Sequence, residues 1–185
     1  MSETTKIFVG GSRRLSRLSK DVMRRLDRAM DKGLTILVGD ANGADKALQR
    51  YLASKRYNKV IVYCMVGRCR NNLGNWKARE IIPDRGLEHG FAYYSTKDRA
   101  MSVEADYALM LWDGKSRGTL TNISDLIHQK KPVVVYLAPS KSLVTLREPN
   151  ELEHLMDRLA SVSSRPPARS APSSTSHQSR DRLLF

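Results

Sequence analysis

Short runs of near-continuous Val, Ile and Leu alternate along the chain with longer stretches in which apolar residues recur every three or four positions. The first run, 6–11, closes on Gly10 and Gly11 and predicts a buried strand entering a tight turn. Leu18, Val22, Leu26 and Met30 then fall on one helical face. Ser19 suits the N-cap of that helix, Asp21 its first turn and Gly33 its C′ stop. A second strand is predicted over 34–38, a helix through Ala47, Leu48, Tyr51 and Leu52, and a third strand over 59–64. Helix spacing resumes over 95–104, where Ser95 and Asp98 have capping-box spacing. A strand over 106–112, a helix over 118–130 and a strand over 132–137 follow. Asn150 opens a last helix, with Glu153 completing a capping box.

Residues 65–92 show little periodicity. They read as an irregular insertion with at most one short helical turn over 76–82, stopped by Pro83. After Ala160 the composition turns to Ser, Pro and Arg. Such a segment buries too little apolar surface to offset its ordering entropy, so 161–185 is expected to be a disordered tail on a domain of residues 1–160. Apolar strands separated by helices imply an α/β fold: a Rossmann-like, doubly wound, mostly parallel sheet of at least five strands in a three-layer sandwich. Ligands in such folds bind beyond the carboxyl ends of the strands.

Three strand ends carry candidate chemistry. In Gly10-Gly11-Ser12-Arg13 the glycines permit a sharp turn, Ser12 offers a hydroxyl and Arg13 pairs with phosphate; an ordinary strand-to-helix turn is the alternative. In Gly39-Asp40-Ala41-Asn42-Gly43-Ala44-Asp45, small residues precede a helix N-terminus whose free N–H groups favour anions. Asp40 and Asp45 either cap that helix or hold a ribose hydroxyl. The segment is neither a Walker A loop nor a G-x-G-x-x-G fingerprint. The third, Asp113-Gly114-Lys115-Ser116-Arg117-Gly118-Thr119, combines two glycines, two hydroxyls and two cations before a helix, which suits a phosphate. A solvated turn is its alternative.

These loops, with Lys97-Asp98-Arg99-Ala100-Met101 and Glu104-Ala105-Asp106 between them, resemble the SLOG superfamily over residues 6–138. This is the Rossmann-like group that includes the lysine-decarboxylase-like LOG proteins, the YspA/YpsA-type proteins and the DNA-processing protein family. The resemblance implies a nucleotide or nucleotide-derived ligand, held through its ribose phosphate by Gly11, Ser12, Arg13, Gly39, Asp40, Gly43, Ala44, Asp45, Lys97, Asp113, Gly114, Lys115, Ser116, Gly118 and Thr119. In LOG enzymes it further implies hydrolysis of the N-glycosidic bond of a nucleoside monophosphate. The sequence departs from the LOG motifs at two places. The Arg-Lys pair aligns with Lys97 and Asp98, and the glutamate after Gly-Thr falls on Thr121 or Asn122. Glycosidic cleavage uses a carboxylate to stabilise positive charge or activate water. Asn122 cannot ionise, so a catalytic role needs a carboxylate from elsewhere at the same edge, where Asp40, Asp45, Asp98 and Asp113 are predicted; Asp40 and Asp98, with Asn122 at the aligned position, are the catalytic candidates.

Composition narrows the partners. The chain has 185 residues and a formal net charge of +13. Nucleic-acid binding, as in the DNA-processing branch, is thus a third reading, through the basic helix at 17–32 and the tail. No apolar run approaches the about 20 residues that span a bilayer. The N-terminal residues lack a signal-peptide pattern, and Cys64 and Cys69 are the only cysteines, so a cytoplasmic location without membrane partners is expected. Two cysteines with scattered histidines give no metal site, and no cofactor is implied. Related folds often dimerise, so a homo-oligomer is a candidate state.

Overall fold

The computed structural model describes residues 4–83 and 90–163. In chain order the elements are β1 (Lys6–Gly11), α1 (Lys20–Asp31), β2 (Thr35–Gly39), α2 (Ala44–Ser54), β3 (Val60–Met65), β4 (Lys77–Ile81), α3 (Phe91–Glu104), β5 (Tyr107–Trp112), α4 (Arg117–His128), β6 (Val133–Leu137), β7 (Ser142–Leu146) and α5 (Pro149–Ser163). The seven strands form one sheet in the order β4-β3-β2-β1-β5-β6-β7. Every neighbouring pair is parallel except β6–β7. The α/β expectation is met, as a mostly parallel sheet in a Rossmann-like three-layer sandwich.

The strands read as continuous apolar runs because both faces of the sheet are covered. Ile7 and Val9 on β1, Ile36 and Val38 on β2, and Leu109 and Leu111 on β5 pack on α1 and α2. The intervening Phe8, Leu37, Ala108, Met110 and Trp112 pack on the other face, against α3, α4 and α5. In α1 the Ser19 hydroxyl accepts the Val22 N–H, and Val22, Leu26 and Ala29 are buried. Its arginines point outward, as amphipathic spacing requires.

Four features differ from the sequence reading. Residues 77–81, read as irregular or a helical turn, form β4, parallel to β3 at the sheet edge. Its mixed Lys-Ala-Arg-Glu-Ile composition hides the strand, because an edge strand half in water needs no continuous apolar run. Residues 142–146 form a second edge strand, β7, that pattern reading passed over. Helix α3 starts at Phe91 rather than Ser95, and the Ser95 hydroxyl donates to the Phe91 carbonyl inside the helix instead of capping it. Helix α5 starts at Pro149, where a missing N–H costs nothing. Glu151, not Glu153, closes its N-terminus by accepting the Arg147 and Glu148 N–H groups. The helix also runs through Ser163, past the expected boundary at 160. The expected tail beyond Ser163 lies outside the described residues. No helix among the described residues is long and apolar enough to cross a membrane.

Candidate functional site

The sheet reverses its winding between β1 and β5. The connection leaving β1 passes to one face through α1, and the one leaving β5 passes to the other through α4. The two loops diverge at the carboxyl edge, and a crevice opens between them. A cavity of about 550 Å³ occupies this crevice. The end of β1, the loop that follows β5, the first turn of α4 and one side of α3 line it.

Buried charge surrounds the inner end of the cavity. The Lys97 ammonium lies 2.6 Å from Asp98 and 3.9 Å from Asp40, with its side chain 4% exposed. Asp40 is buried beside it and accepts two hydrogen bonds from the Arg70 guanidinium, at 2.6 and 3.0 Å, and one from the Arg70 N–H. Burial raises the Asp40 carboxyl, but the Arg70 hydrogen bonds overcome this and hold it below the ordinary carboxylate value. Asp45 accepts the Ala41 N–H at 3.2 Å. Burial pushes its carboxyl up to about 6, against the pull of Lys97. Burial lowers the Lys97 ammonium, yet Asp98 and then Asp45 hold it above the ordinary lysine value. Three carboxyls face two cations here, so one carboxyl retains a proton most readily, and Asp45 is that group. Gly39 makes the cluster possible: a Cβ there would stand 2.4 Å from the Asp45 Oδ2 and 3.0 Å from the Lys97 Nζ. Asn122 on α4 donates to Asp98 at 3.4 Å and turns toward the cavity.

The three strand-end loops behave differently. Ser12 is spent on structure: its hydroxyl donates to Asp113 at 3.0 Å, accepts the Asp113 N–H at 3.1 Å and lies 3.3 Å from the Thr119 hydroxyl. Asp113 also accepts the Lys115 and Ser116 N–H groups. Burial raises its carboxyl, and these bonds outweigh that and hold it low. Ser116 caps α4, accepting from the Thr119 N–H and hydroxyl. The second loop is closed. Gly43 has φ +85°, and a Cβ on it would stand 2.1 Å from the Arg13 carbonyl oxygen. The Ala44 N–H donates to the Ser12 carbonyl at 3.3 Å. The start of α2 is therefore covered by main chain of the first loop.

The cavity mouth is cationic and aromatic. Arg13, Arg14, Lys115 and Arg117 line it, and among the described residues no carboxylate forms an ion pair with any of them. The Arg13 guanidinium sits 5.6 Å from the Tyr94 ring, and Arg70 lies over the same ring at 4.8 Å. Arg117 lies over Phe91 at 5.0 Å, and that ring is about half exposed. Cations over aromatic faces are oriented without being neutralised.

Of the residues singled out from sequence, Gly11, Arg13, Asp45, Lys97, Asp98, Asp113, Lys115, Ser116, Gly118, Thr119 and Asn122 line the cavity. Ser12, Gly39, Asp40, Gly43, Ala44 and Gly114 do not. They hold the loops and the charge cluster in place, or in the case of Gly114 form a turn with φ +75°. Sequence reasoning missed Phe91, Tyr94 and Met101 on the lining side of α3. The signal was present: positions 91, 94, 98 and 101 follow 3-4-3 spacing, but the side they define mixes aromatic, acidic and apolar residues.

Searches against protein-family models, curated proteins and solved structures found no match to this chain.

Proposed function

We propose that the cavity binds a nucleotide or nucleotide-derived ligand through its ribose phosphate, and that the chain is a divergent member of the SLOG superfamily. The observation that carries the proposal is the set of mouth cations, Arg13, Arg14, Lys115 and Arg117, left without carboxylate partners among the described residues. They stand over a crevice at the sheet's topological switch point, where α/β folds bind ligands. Guanidinium groups suit phosphate oxygens because they offer paired donors in a fixed plane. The half-exposed Phe91 ring offers a face on which a base can stack. A thermal-shift panel of nucleosides, nucleoside monophosphates, nucleoside diphosphates and inorganic phosphate tests the proposal. A ligand that binds only the folded chain raises its melting temperature by mass action. Phosphorylated nucleosides should shift melting more than nucleosides; no shift from any of them overturns the proposal. A steep loss of binding with salt, together with affinity for DNA or RNA, would favour the polyanion alternative.

A second reading, hydrolysis of the N-glycosidic bond of a nucleoside monophosphate, is favoured by one feature. Two carboxyls of unlike environment, Asp45, raised to about 6 by burial, and the Lys97-paired Asp98, line the same cavity. Asp45 fits a proton donor to the leaving base, and Asp98 fits a stabiliser of the positive sugar. Free base, followed by chromatography, should appear from a nucleoside monophosphate and be lost in Asp98→Asn. Absence of release with the wild-type chain leaves binding as the function.

A further inference from the structure

We propose that Cys64 and Cys69 are a redox modification site: a dithiol that closes to an intramolecular disulfide when it meets a low-molecular-weight disulfide. The geometry comes from the turn that follows β3. The Arg68 N–H donates to the Met65 carbonyl at 3.0 Å, and these two residues form an isolated antiparallel bridge. Gly67, with φ +68°, supplies the left-handed residue that the two-residue turn needs. The residues one step outward from a hydrogen-bonded pair in such a hairpin face each other as a non-hydrogen-bonded pair. Those residues are Cys64 and Cys69. Non-hydrogen-bonded pairs have Cα atoms about 4.5 Å apart, within the range a disulfide spans. The Cys69 thiol donates to the Asn71 carbonyl at 3.9 Å, and burial pushes the Cys64 thiol up to about 12, with the neighbouring Cys69 adding to the rise.

The two thiols differ in access, and the difference fixes the order of events. Cys69 is exposed, whereas Cys64 is buried. The Cys69 thiolate attacks one sulfur of the small disulfide, an S–S bond forms at Cys69, and the first small thiolate leaves. Cys64 then attacks the Cys69 sulfur, and its proton passes to the second small thiolate as that group leaves. Two protein thiols are oxidised by two electrons, and one small disulfide is reduced to two thiols.

The segment so tethered carries part of the site's framework. Arg70, next to Cys69, clamps Asp40 and covers the Tyr94 ring. Asn71 donates to the Asp40 carbonyl at 2.7 Å and to Asn42, and its own carbonyl accepts the Gln49 amide. The disulfide would fasten this clamp to β3.

The test is mass spectrometry of the full chain incubated with oxidised glutathione at mildly alkaline pH. The expected product is a monomer lighter by two hydrogens, with Cys64 and Cys69 joined in one proteolytic peptide and restored by dithiothreitol. Cys69→Ser, a surface change, should show neither the mass loss nor a glutathione adduct. A wild-type product that stops as a glutathione adduct at Cys69, a dimer linked through Cys69, or an unreacted chain would overturn the proposal. So would an adduct at Cys64 in Cys69→Ser, because it would remove Cys69 as the entry point.

Discussion

The loops that follow β2 and β5 look alike in sequence and do opposite things in space. Both are rich in glycine and small polar residues, and both lead into a helix. The β5 loop, from Asp113 to Thr119, lays Lys115, Ser116, Gly118 and Thr119 along the cavity. The β2 loop shows the cavity only Ala41 and Asp45 and is otherwise sealed, with Gly43 against the Arg13 main chain and Asp40 locked by Arg70. A glycine before a helix can admit a ligand or admit a neighbouring loop, and the local sequence does not distinguish them. What decides is which part of the fold packs against the loop, here the Arg13 main chain, and that is a tertiary fact. The sealed loop instead anchors the charge cluster that the open loop faces across the cavity.

The contrast predicts unequal consequences of substitution. Lys97→Met removes the cation shared by Asp40, Asp45 and Asp98 and strands buried carboxylates. Breaking a buried pair in this way costs about 3–5 kcal/mol, to be read from urea unfolding. The next effect is a pH dependence. The Asp45 carboxyl rises from 3.8 to about 6 on folding, so the folded chain holds this proton more tightly than the unfolded chain. That contribution is whole below pH 3.8 and is lost as pH rises through about 6. Between those limits the wild type should lose about 3 kcal/mol relative to Asp45→Asn, and parallel stability curves for the two chains would contradict the assignment.

Smaller effects separate the loops themselves. Gly43→Ala must place a Cβ into the Arg13 main chain at positive φ, and should cost about 2 kcal/mol or more. Gly118→Ala meets nothing nearer than Phe91 at 3.7 Å. It should leave stability within about 0.5 kcal/mol, so that its consequence, if any, falls on ligand binding. Equal melting temperatures for the two variants would mean that the β2 loop is not sealed as described.

Much of the architecture was legible because β1, β2, β3, β5 and β6 are buried on both faces and carry unbroken apolar runs. The edge strands β4 and β7 escaped because half of their surface meets water, which removes the apolar signal. Helix α3 was half legible for a related reason. Its inner side lines a polar cavity over its first turns and joins the core only further on, so Lys97 and Asp98 interrupt the periodicity that Met101 resumes. The cations at the cavity mouth were legible from strand-end logic, since Arg13, Lys115 and Arg117 each follow an apolar run. The fate of Asp40 was not, because its partner Arg70 comes from a segment without periodicity, thirty residues away.

Calorimetric titration of the wild-type chain with a nucleoside monophosphate and with the matching nucleoside, each repeated on Lys115→Ala and Arg13→Ala, tests the phosphate assignment directly. The monophosphate should bind the wild type more tightly than the nucleoside. Each substitution should weaken the monophosphate by about tenfold or more, as expected for loss of a charge-assisted contact, while leaving the nucleoside nearly unchanged. Equal losses for both ligands, or equal affinities in the wild type, would contradict a phosphate site at the mouth of this cavity.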